Sequence, residues 1–197
     1  MGKRIVVLAS GSGSNLQALL DRGDTAERVV GVLSDRSSAG ALHRAEAAGL
    51  PAAAVPLADY PGRAEWASAL ASQVAVHGPD LVVLAGFMRI LPAAFVERWP
   101  TMNVHPSLLP AFPGSRAVES ALAWGVKITG ATVHFVDDQV DHGPIIAQQA
   151  IEVDDRDTEA SLHARIQAVE HELLPQAASL FCRDRLAVDG RHVRILP

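Results

Sequence analysis

Short apolar runs alternate with longer amphipathic stretches through the first half of this 197-residue sequence. Three of the runs are rich in β-branched residues and apolar on both faces, namely residues 4–9 (RIVVLA), 29–33 (VVGVL) and 80–85 (DLVVLA). Such runs are typical of parallel strands that are covered by helices. The stretches between them carry Ala, Leu, Arg and Glu at helical spacing, at residues 15–21, 39–48 and 64–77. The alternation predicts βαβ units and an open, mostly parallel α/β sheet.

The second half of the chain follows a different pattern. Strands are predicted at residues 101–104, 131–136 and 145–153, followed by a helix from about 158 to 182. Pro175 lies within that helix and is expected to bend or interrupt it. Asp189 and Gly190 separate two alternating runs, which is a strong hairpin signal. Antiparallel strands are therefore expected in the C-terminal half.

The composition limits the classes of protein to which the chain can belong. The sequence contains no linker, repeat or low-complexity tract, so residues 1–197 are expected to form a single domain. A formal net charge of -5 argues against a nucleic-acid partner, because nucleic-acid-binding domains are usually basic. No apolar run approaches the roughly 20 residues of a membrane helix, and no signal-peptide pattern is present. We expect a cytoplasmic protein with small-molecule partners and no membrane association, either a monomer or a homodimer.

A glycine-rich loop, residues 10–16 (SGSGSNL), follows the first predicted strand. Its small residues allow backbone N–H groups to approach an anion, and the following helix directs its positive end at the same place. It is not a dinucleotide fingerprint, because Leu16 stands where the third glycine belongs, and it is not a P-loop. Two interpretations stay open, a phosphate site and a tight turn in which Ser14 or Asn15 caps the helix.

The strand at residues 80–85 leads directly into Gly86, Phe87, Met88 and Arg89. Ligands of open α/β sheets gather at the carboxyl ends of the strands. Residues 88–91 could therefore line an apolar slot, or they could form an ordinary strand-to-helix connection made of core residues. The local pattern leaves both possibilities open.

The segment at residues 103–110 reads NVHPSLLP. Because side chains alternate along a strand, Asn103 and His105 are predicted to lie on the same face. An amide donor beside an imidazole can stabilise an oxyanion and move a proton near neutral pH. The alternative is a structural histidine. No G-x-S-x-G motif or matching cysteine accompanies the pair, which argues against a covalent acyl-enzyme.

A third polar segment, residues 137–144 (DDQVDHGP), contains several acidic side chains beside Gly and Pro. Such residues are usually solvated turn formers. A carboxylate of this loop that faced His105 would instead raise the pKa of that histidine. A metal site that includes His134 is disfavoured, because the spacing matches no common zinc pattern and thiolates are absent.

Taken together, these segments resemble a known family. The motifs GSGSN, AGFMRIL, NVHPSLLPAFPG and D-x-G-P, in this order, are similar to those of the phosphoribosylglycinamide formyltransferases, folate-dependent enzymes of purine biosynthesis. The resemblance covers nearly the whole chain. It implies a Rossmann-like twisted sheet with helices on both faces, the formyltransferase fold. Within it, residues 1–100 would bind the nucleotide phosphate and residues 101–197 would hold the folate and the catalytic groups.

The resemblance also implies a reaction and its residues. The formyl group of 10-formyltetrahydrofolate would pass to the amine of phosphoribosylglycinamide without a metal, protonated His105 would stabilise the oxyanion, and Asp141 would keep His105 protonated. The implied residues are Asn103, His105 and Asp141 for catalysis; Gly13, Ser14, Asn15 and Glu170 for the nucleotide substrate; and Arg63, Met88, Arg89, Ile90, Leu91 and Asn103 for folate. Arg116 and Thr129 depart from the family pattern, and His142 occupies a position that varies within it. Arg116 is expected to be a solvated helix residue.

Three other functions compete with this one. Methionyl-tRNA formyltransferases share the core but read HGSLLP, carry a further C-terminal domain and need a basic surface, whereas this chain has Pro106 and is acidic. Formyltetrahydrofolate deformylases use water as the acceptor and carry an N-terminal regulatory domain. A nucleotide-binding module without activity would have no need for Asn103, His105 and Asp141 to converge.

Overall fold

The computed structural model describes residues 2–197, and its contacts divide the chain into two compact units. The first unit ends at Met102, and the second extends from Asn103 to Pro197. No helix among the described residues is both long and apolar enough to cross a membrane. The expectation of a single domain, with the functions of its two halves, stays a prediction.

The first unit consists of alternating strands and helices. Its elements are β1 (Ile5–Leu8), α1 (Ser14–Asp21), α2 (Gly23–Ala26), β2 (Val29–Ser34), α3 (Gly40–Ala47), β3 (Ala52–Ala54), a 3-10 turn (Leu57–Asp59), α4 (Arg63–Val76), β4 (Leu81–Leu84) and α5 (Ala93–Arg98). The strands lie in the order β3-β2-β1-β4 and all pair in parallel. Sequence patterns missed β3, an alanine-only strand whose residue type has low strand propensity.

The parallel register determines which loops of the first unit meet. Leu8 pairs with Leu33 of β2 and with Leu84 of β4, so these strands end side by side. All residues of β1 and β4 are buried, as expected for strands that are covered on both faces. The segments that follow the three strands therefore share one edge of the sheet, the usual position of a binding site.

The second unit begins within β5, which spans the boundary, and continues with mixed strand pairing. Its elements are β5 (Thr101–His105), α6 (Ala117–Trp124), β6 (Ile128–Phe135), β7 (Ile145–Glu152), α7 (Glu159–Cys182), β8 (Leu186–Asp189) and β9 (His192–Ile195). Strands β6 and β7 are antiparallel, β7 and β9 are parallel, and β8 and β9 form an antiparallel hairpin. The predicted α/β fold with antiparallel strands in the C-terminal half is confirmed.

Helix α7 differs from its prediction in one respect. It runs without interruption through Pro175, so an interruption, one of the two predicted effects of this proline, is wrong, and a bend stays a prediction. Pro175 and the neighbouring Leu174 and Ala178 are buried, and this packing compensates for the hydrogen bond that the proline cannot donate. Thr158 begins the helix with a capping box, in which Ser161 N–H donates to the Thr158 hydroxyl.

Candidate active site

The second unit brings together the three side chains that were proposed for catalysis. Asn103 and His105 are two positions apart on β5 and therefore lie on one face of the strand. His105 Nδ1 lies 3.3 Å from Asp141 Oδ2. The Asn103 amide donates to Asp141 Oδ1 over 3.4 Å. Asp141 therefore contacts both residues of the NVHPSLLP motif, each through a different carboxylate oxygen.

Asp141 reaches this position from the loop between β6 and β7. Its backbone is left-handed, with φ of 50°, and its Oδ2 accepts a 2.7 Å hydrogen bond from Gly114 N–H. Gly143, two residues later, lies against the backbone of Phe135. A Cβ atom added to Gly143 would stand 2.0 Å from the Phe135 carbonyl oxygen. The D-x-G-P pattern thus contains glycine because the loop touches the chain leaving β6.

The turn after β5 is held by side chains on neighbouring strands. The hydroxyl of Thr132, on β6, donates to the Ser107 carbonyl and accepts from Leu109 N–H. Gln148, on β7, donates to the Leu109 carbonyl over 2.9 Å. The turn brings the carbonyl of Phe112 to 2.8 Å from His105 Nε2. The turn therefore fixes the histidine ring, with Nε2–H donating to a backbone oxygen.

A second buried histidine, His134, completes the cluster and was not proposed as a site residue from the sequence. Its Nε2 lies 3.2 Å from Asn103 Nδ2 and 3.7 Å from Asp141 Oδ1. Its Nδ1 faces the Phe135 carbonyl at 2.8 Å, so in the neutral ring Nδ1 carries the hydrogen and Nε2 accepts from Asn103. Thr132 and His134 are two polar residues at alternate positions of the buried strand β6. This pattern is the sequence signal that could have identified His134 as a site residue.

Burial has the largest influence on the pKa of His105, and it lowers that pKa. The charge of Asp141 and the hydrogen bond to Phe112 raise it, but they offset only part of the effect of burial. Asp141 therefore raises the pKa of His105, as predicted for a carboxylate that faces the ring, but burial outweighs this effect and the pKa is lowered overall. Burial would also raise the pKa of Asp141, yet the neighbouring His134, the hydrogen bond from Gly114 N–H and the charge of His105 lower it overall. Asp141 is thus an ionised carboxylate at neutral pH.

We expect His105 to titrate below its usual value of 6.5. In Asp141→Asn the midpoint should fall further, because the carboxylate that favours the charged ring is lost. Because the pKa of His105 is lower in the folded than in the unfolded protein, the unfolded chain binds the proton more readily. The contribution of the neutral ring to folding stability is therefore present above pH 6.5 and is lost as pH falls through the folded-state pKa. NMR titration of the His105 ring in the wild type and in Asp141→Asn tests the two pKa predictions. Asp138→Asn, in the same loop as Asp141, is the control. A wild-type midpoint above 6.5 would contradict the assignment.

In the first unit, the glycine-rich loop ends on Gly13, which directly precedes α1. Gly13 has φ of 77°, and a Cβ atom there would lie 2.6 Å from Ala41 Cα, so only glycine fits. No side chain caps the helix, which removes the alternative in which Ser14 or Asn15 is the cap. Arg44, which the sequence did not single out, donates to the Ser12 carbonyl over 2.8 Å and brings positive charge to this loop.

Residues 88–91, which follow β4, carry exposed as well as buried apolar side chains. Met88 and Ile90 are 62% and 60% exposed, although both are large apolar residues. Arg63 of α4 donates to the Ile90 carbonyl over 3.4 Å. An open, mostly apolar groove of about 540 Å³ is bordered by Arg63, Ile90, Leu91 and aromatic residues of α4 and α5.

A buried carboxylate that the sequence did not reveal supports this segment. Asp35, directly after β2, accepts from the Ser10 hydroxyl over 2.5 Å and from Arg89 Nε over 2.7 Å. The Ser10 hydroxyl in turn accepts from Met88 N–H over 2.9 Å. Asp35 therefore ties the starts of the loops after β1 and β4 to each other.

The remaining predicted positions have simpler environments. Glu170 lies on α7 and is buried. Arg116 directly precedes α6, is 78% exposed and lies 3.8 Å from Glu119, as expected for a solvated residue. Among residues 2–197, no group of three or more His, Cys, Asp or Glu side chains is placed to hold a metal ion.

Comparison with known proteins identifies the family. The family model described as formyl transferase matches residues 3–178. The chain belongs to the formyl transferase family. The resemblance that its motifs indicated is confirmed, and the clustered Asn103, His105 and Asp141 are side chains of a formyl transferase enzyme.

Individual formyl transferases are similar over nearly the full chain. A phosphoribosylglycinamide formyltransferase of Mycobacterium tuberculosis is 51% identical over 95% of this chain and 89% of its own length. The trifunctional purine biosynthetic protein adenosine-3 of Homo sapiens is 44% identical over 90% of this chain, which corresponds to 18% of that protein. Glycinamide ribonucleotide transformylase 1 from Symbiobacterium toebii superposes with a TM-score of 0.96 at 48% identity, covering 100% of this chain and 95% of that one.

Proposed function

We propose that this enzyme transfers the formyl group of 10-formyltetrahydrofolate to the amine of phosphoribosylglycinamide, a step of purine biosynthesis. The convergence of Asn103, His105 and Asp141 carries the proposal, because an amide, an imidazole and a carboxylate suit acyl transfer between nitrogen atoms. Similarity to enzymes named phosphoribosylglycinamide formyltransferase over nearly the whole chain supports this choice of acceptor.

The reaction begins when the substrate amine attacks the formyl carbon and the carbonyl electrons move to oxygen. Asn103 can donate to that oxygen, since its present 3.4 Å hydrogen bond to Asp141 is long and easily exchanged. With its hydrogen on Nε2, neutral His105 presents Nδ1 as a base beside Asp141. Nδ1 takes the proton released by the attacking amine. The resulting imidazolium lies between Asp141 and the Phe112 carbonyl, so both of its N–H groups have acceptors.

The intermediate then collapses, and the bond between the formyl carbon and folate N10 breaks. The proton on His105 passes to the departing nitrogen, directly or through one water molecule, which restores the neutral ring. The negative oxyanion also favours the protonated histidine, and this compensates for the burial that lowers the pKa of His105. Asp141, ionised at neutral pH, stabilises the imidazolium throughout.

Substrate binding is assigned by the chemistry of each segment. Gly13, Ser14 and Asn15, at the positive end of α1, are proposed to bind the substrate phosphate and ribose. Glu170 is proposed to hold the glycinamide portion. Folate is proposed to contact Arg63 and residues 88–91, whose exposed apolar side chains suit its ring system. A cytoplasmic location, the oligomeric state and the absence of a nucleic-acid partner stay predictions.

An assay of formyl transfer tests the proposed reaction. Purified enzyme with 10-formyltetrahydrofolate and phosphoribosylglycinamide should give formylated product and tetrahydrofolate in equal amounts, at a rate that depends on the amine. The control omits the amine, and little formate should then appear. Release of formate without dependence on the amine would indicate a deformylase instead. Formylation of methionyl-tRNA in preference to the small amine would also contradict the proposal.

A further inference from the structure

The tip of the β8–β9 hairpin contacts the loop that carries Asp141. Arg191 Nη2 donates to the His142 carbonyl over 2.7 Å. Arg191 Nη1 lies 3.1 Å from His142 Nε2. One guanidinium group therefore holds both the backbone and the ring of the residue that directly follows Asp141.

The strand register explains why these two segments meet. In the parallel pairing of β7 and β9, Ile145 lies opposite His192. Arg191 directly precedes β9 and His142 lies three residues before β7, so the two residues approach each other at this end of the strand pair. Gly190 and Arg191 form the two-residue turn of the hairpin, so the position of the arginine follows from the sheet itself.

The hydrogen bonds around His142 form a consistent set. Its Nδ1 lies 2.7 Å from Asp137 Oδ2, at the start of the same loop, and the carboxylate can only accept. With the hydrogen on Nδ1, Nε2 accepts from Arg191. Burial would raise the pKa of Asp137, but the hydrogen bond from His142 and the charge of Arg191 contribute to holding it below its usual value. The loop is thus closed on itself by Asp137 and anchored from outside by Arg191.

Asp141 needs such an anchor because its conformation is costly. A left-handed backbone, here with φ of 50°, persists at a residue other than glycine only where the surroundings hold it. Val140, on the other side of Asp141, is 51% exposed and supplies little packing. This turn is held by the contacts of the Asp141 carboxylate with Gly114, Asn103 and His105, and by that of Arg191 with the His142 carbonyl.

We propose that Arg191 and His142 are positioning residues, which hold Asp141 against His105 by clamping the loop between β6 and β7. The inference deepens the proposed function, because it rests on a role for Asp141 in formyl transfer. It also assigns a function to His142, which occupies the variable position of the motif D-x-G-P.

Replacement of Arg191 by Ala tests the clamp. We expect kcat to fall about tenfold with little change in KM for either substrate, because Asp141 is misplaced while the binding residues are not. Arg191→Lys keeps the charge but cannot donate two N–H groups from one plane, and it should recover only part of the loss. The matched control is Arg194→Ala, on the same hairpin, since the Arg194 side chain is exposed and makes no hydrogen bond or ion pair within residues 2–197.

A second measurement makes the test independent of the assay. In Arg191→Ala, NMR titration of the Asp141 carboxyl should give a higher pKa than in the wild type, because the carboxylate loses its fixed hydrogen bond from Gly114. A purely structural role would lower the melting temperature and leave this pKa unchanged. Unchanged kcat and unchanged Asp141 titration would overturn the clamp. If the wild type transferred no formyl group, the proposed function would fail, and the titration alone would still decide the clamp.

Discussion

His105→Asn is expected to lower kcat of formyl transfer by roughly 10²- to 10⁴-fold, the usual contribution of a positioned acid–base group. Asparagine can replace a hydrogen-bond donor, but it cannot accept the amine proton and later return it. KM for both substrates should change much less, since the proposed binding residues other than Asn103 lie on other segments. Steady-state kinetics over a range of pH measures this, and the bell-shaped dependence of the wild type should lose the limb that belongs to His105.

A matched control separates chemistry from folding in this experiment. His163→Asn makes the same change at an exposed position of α7 and should leave kcat and the melting temperature unchanged. Because His105 is buried, circular dichroism and thermal unfolding must show that His105→Asn is folded before its rate is interpreted. A folded His105→Asn variant with kcat within a few-fold of wild type would exclude His105 as the acid–base group. The roles proposed for Asn103 and Asp141 would then need a different mechanism.

The sequence was sufficient for features that local patterns encode. Strands β1 and β4 follow from continuous β-branched runs, because only a strand covered on both faces tolerates such runs. Asn103 and His105 follow from a spacing of two at a strand end. Asp141 came from the family motif, and the structure places it 3.3 Å from His105.

Features that depend on distant segments could not be predicted in this way. Asp35 has no local signal in the sequence, because its hydrogen-bond partners Ser10 and Arg89 are 25 and 54 positions away. The hairpin was predicted from Asp189 and Gly190, but the parallel pairing of β7 with β9, which brings Arg191 to His142, has no local sequence signal. The sign of the pKa change at His105 is a balance of burial against charge, and burial is a property of the whole fold.

Gly143→Ala is expected to have a large effect on both stability and activity. The added methyl group would stand 2.0 Å from the carbonyl oxygen of Phe135, a backbone atom that can move only with β6. Overpacking of this kind costs about 1–3 kcal/mol of unfolding free energy, which exceeds the small gain from a less flexible unfolded chain. Since Asp141 is two residues away, the shift of the loop should also reduce kcat. Urea unfolding and the formyl-transfer assay measure the two effects.

The control for this substitution is Gly23→Ala at the start of α2, where an added methyl group meets nothing within 4 Å. That variant should be as stable as the wild type or slightly more stable, because alanine restricts the unfolded chain. If Gly143→Ala were as stable to urea as Gly23→Ala but lost activity, the loop between β6 and β7 would move without a loss of unfolding free energy. The close contact of Gly143 with Phe135 would then not determine the position of that loop. Loss of both stability and activity would show that the D-x-G-P motif requires glycine because the backbone of Gly143 lies against that of Phe135. It would also show that the position of Asp141 depends on this contact.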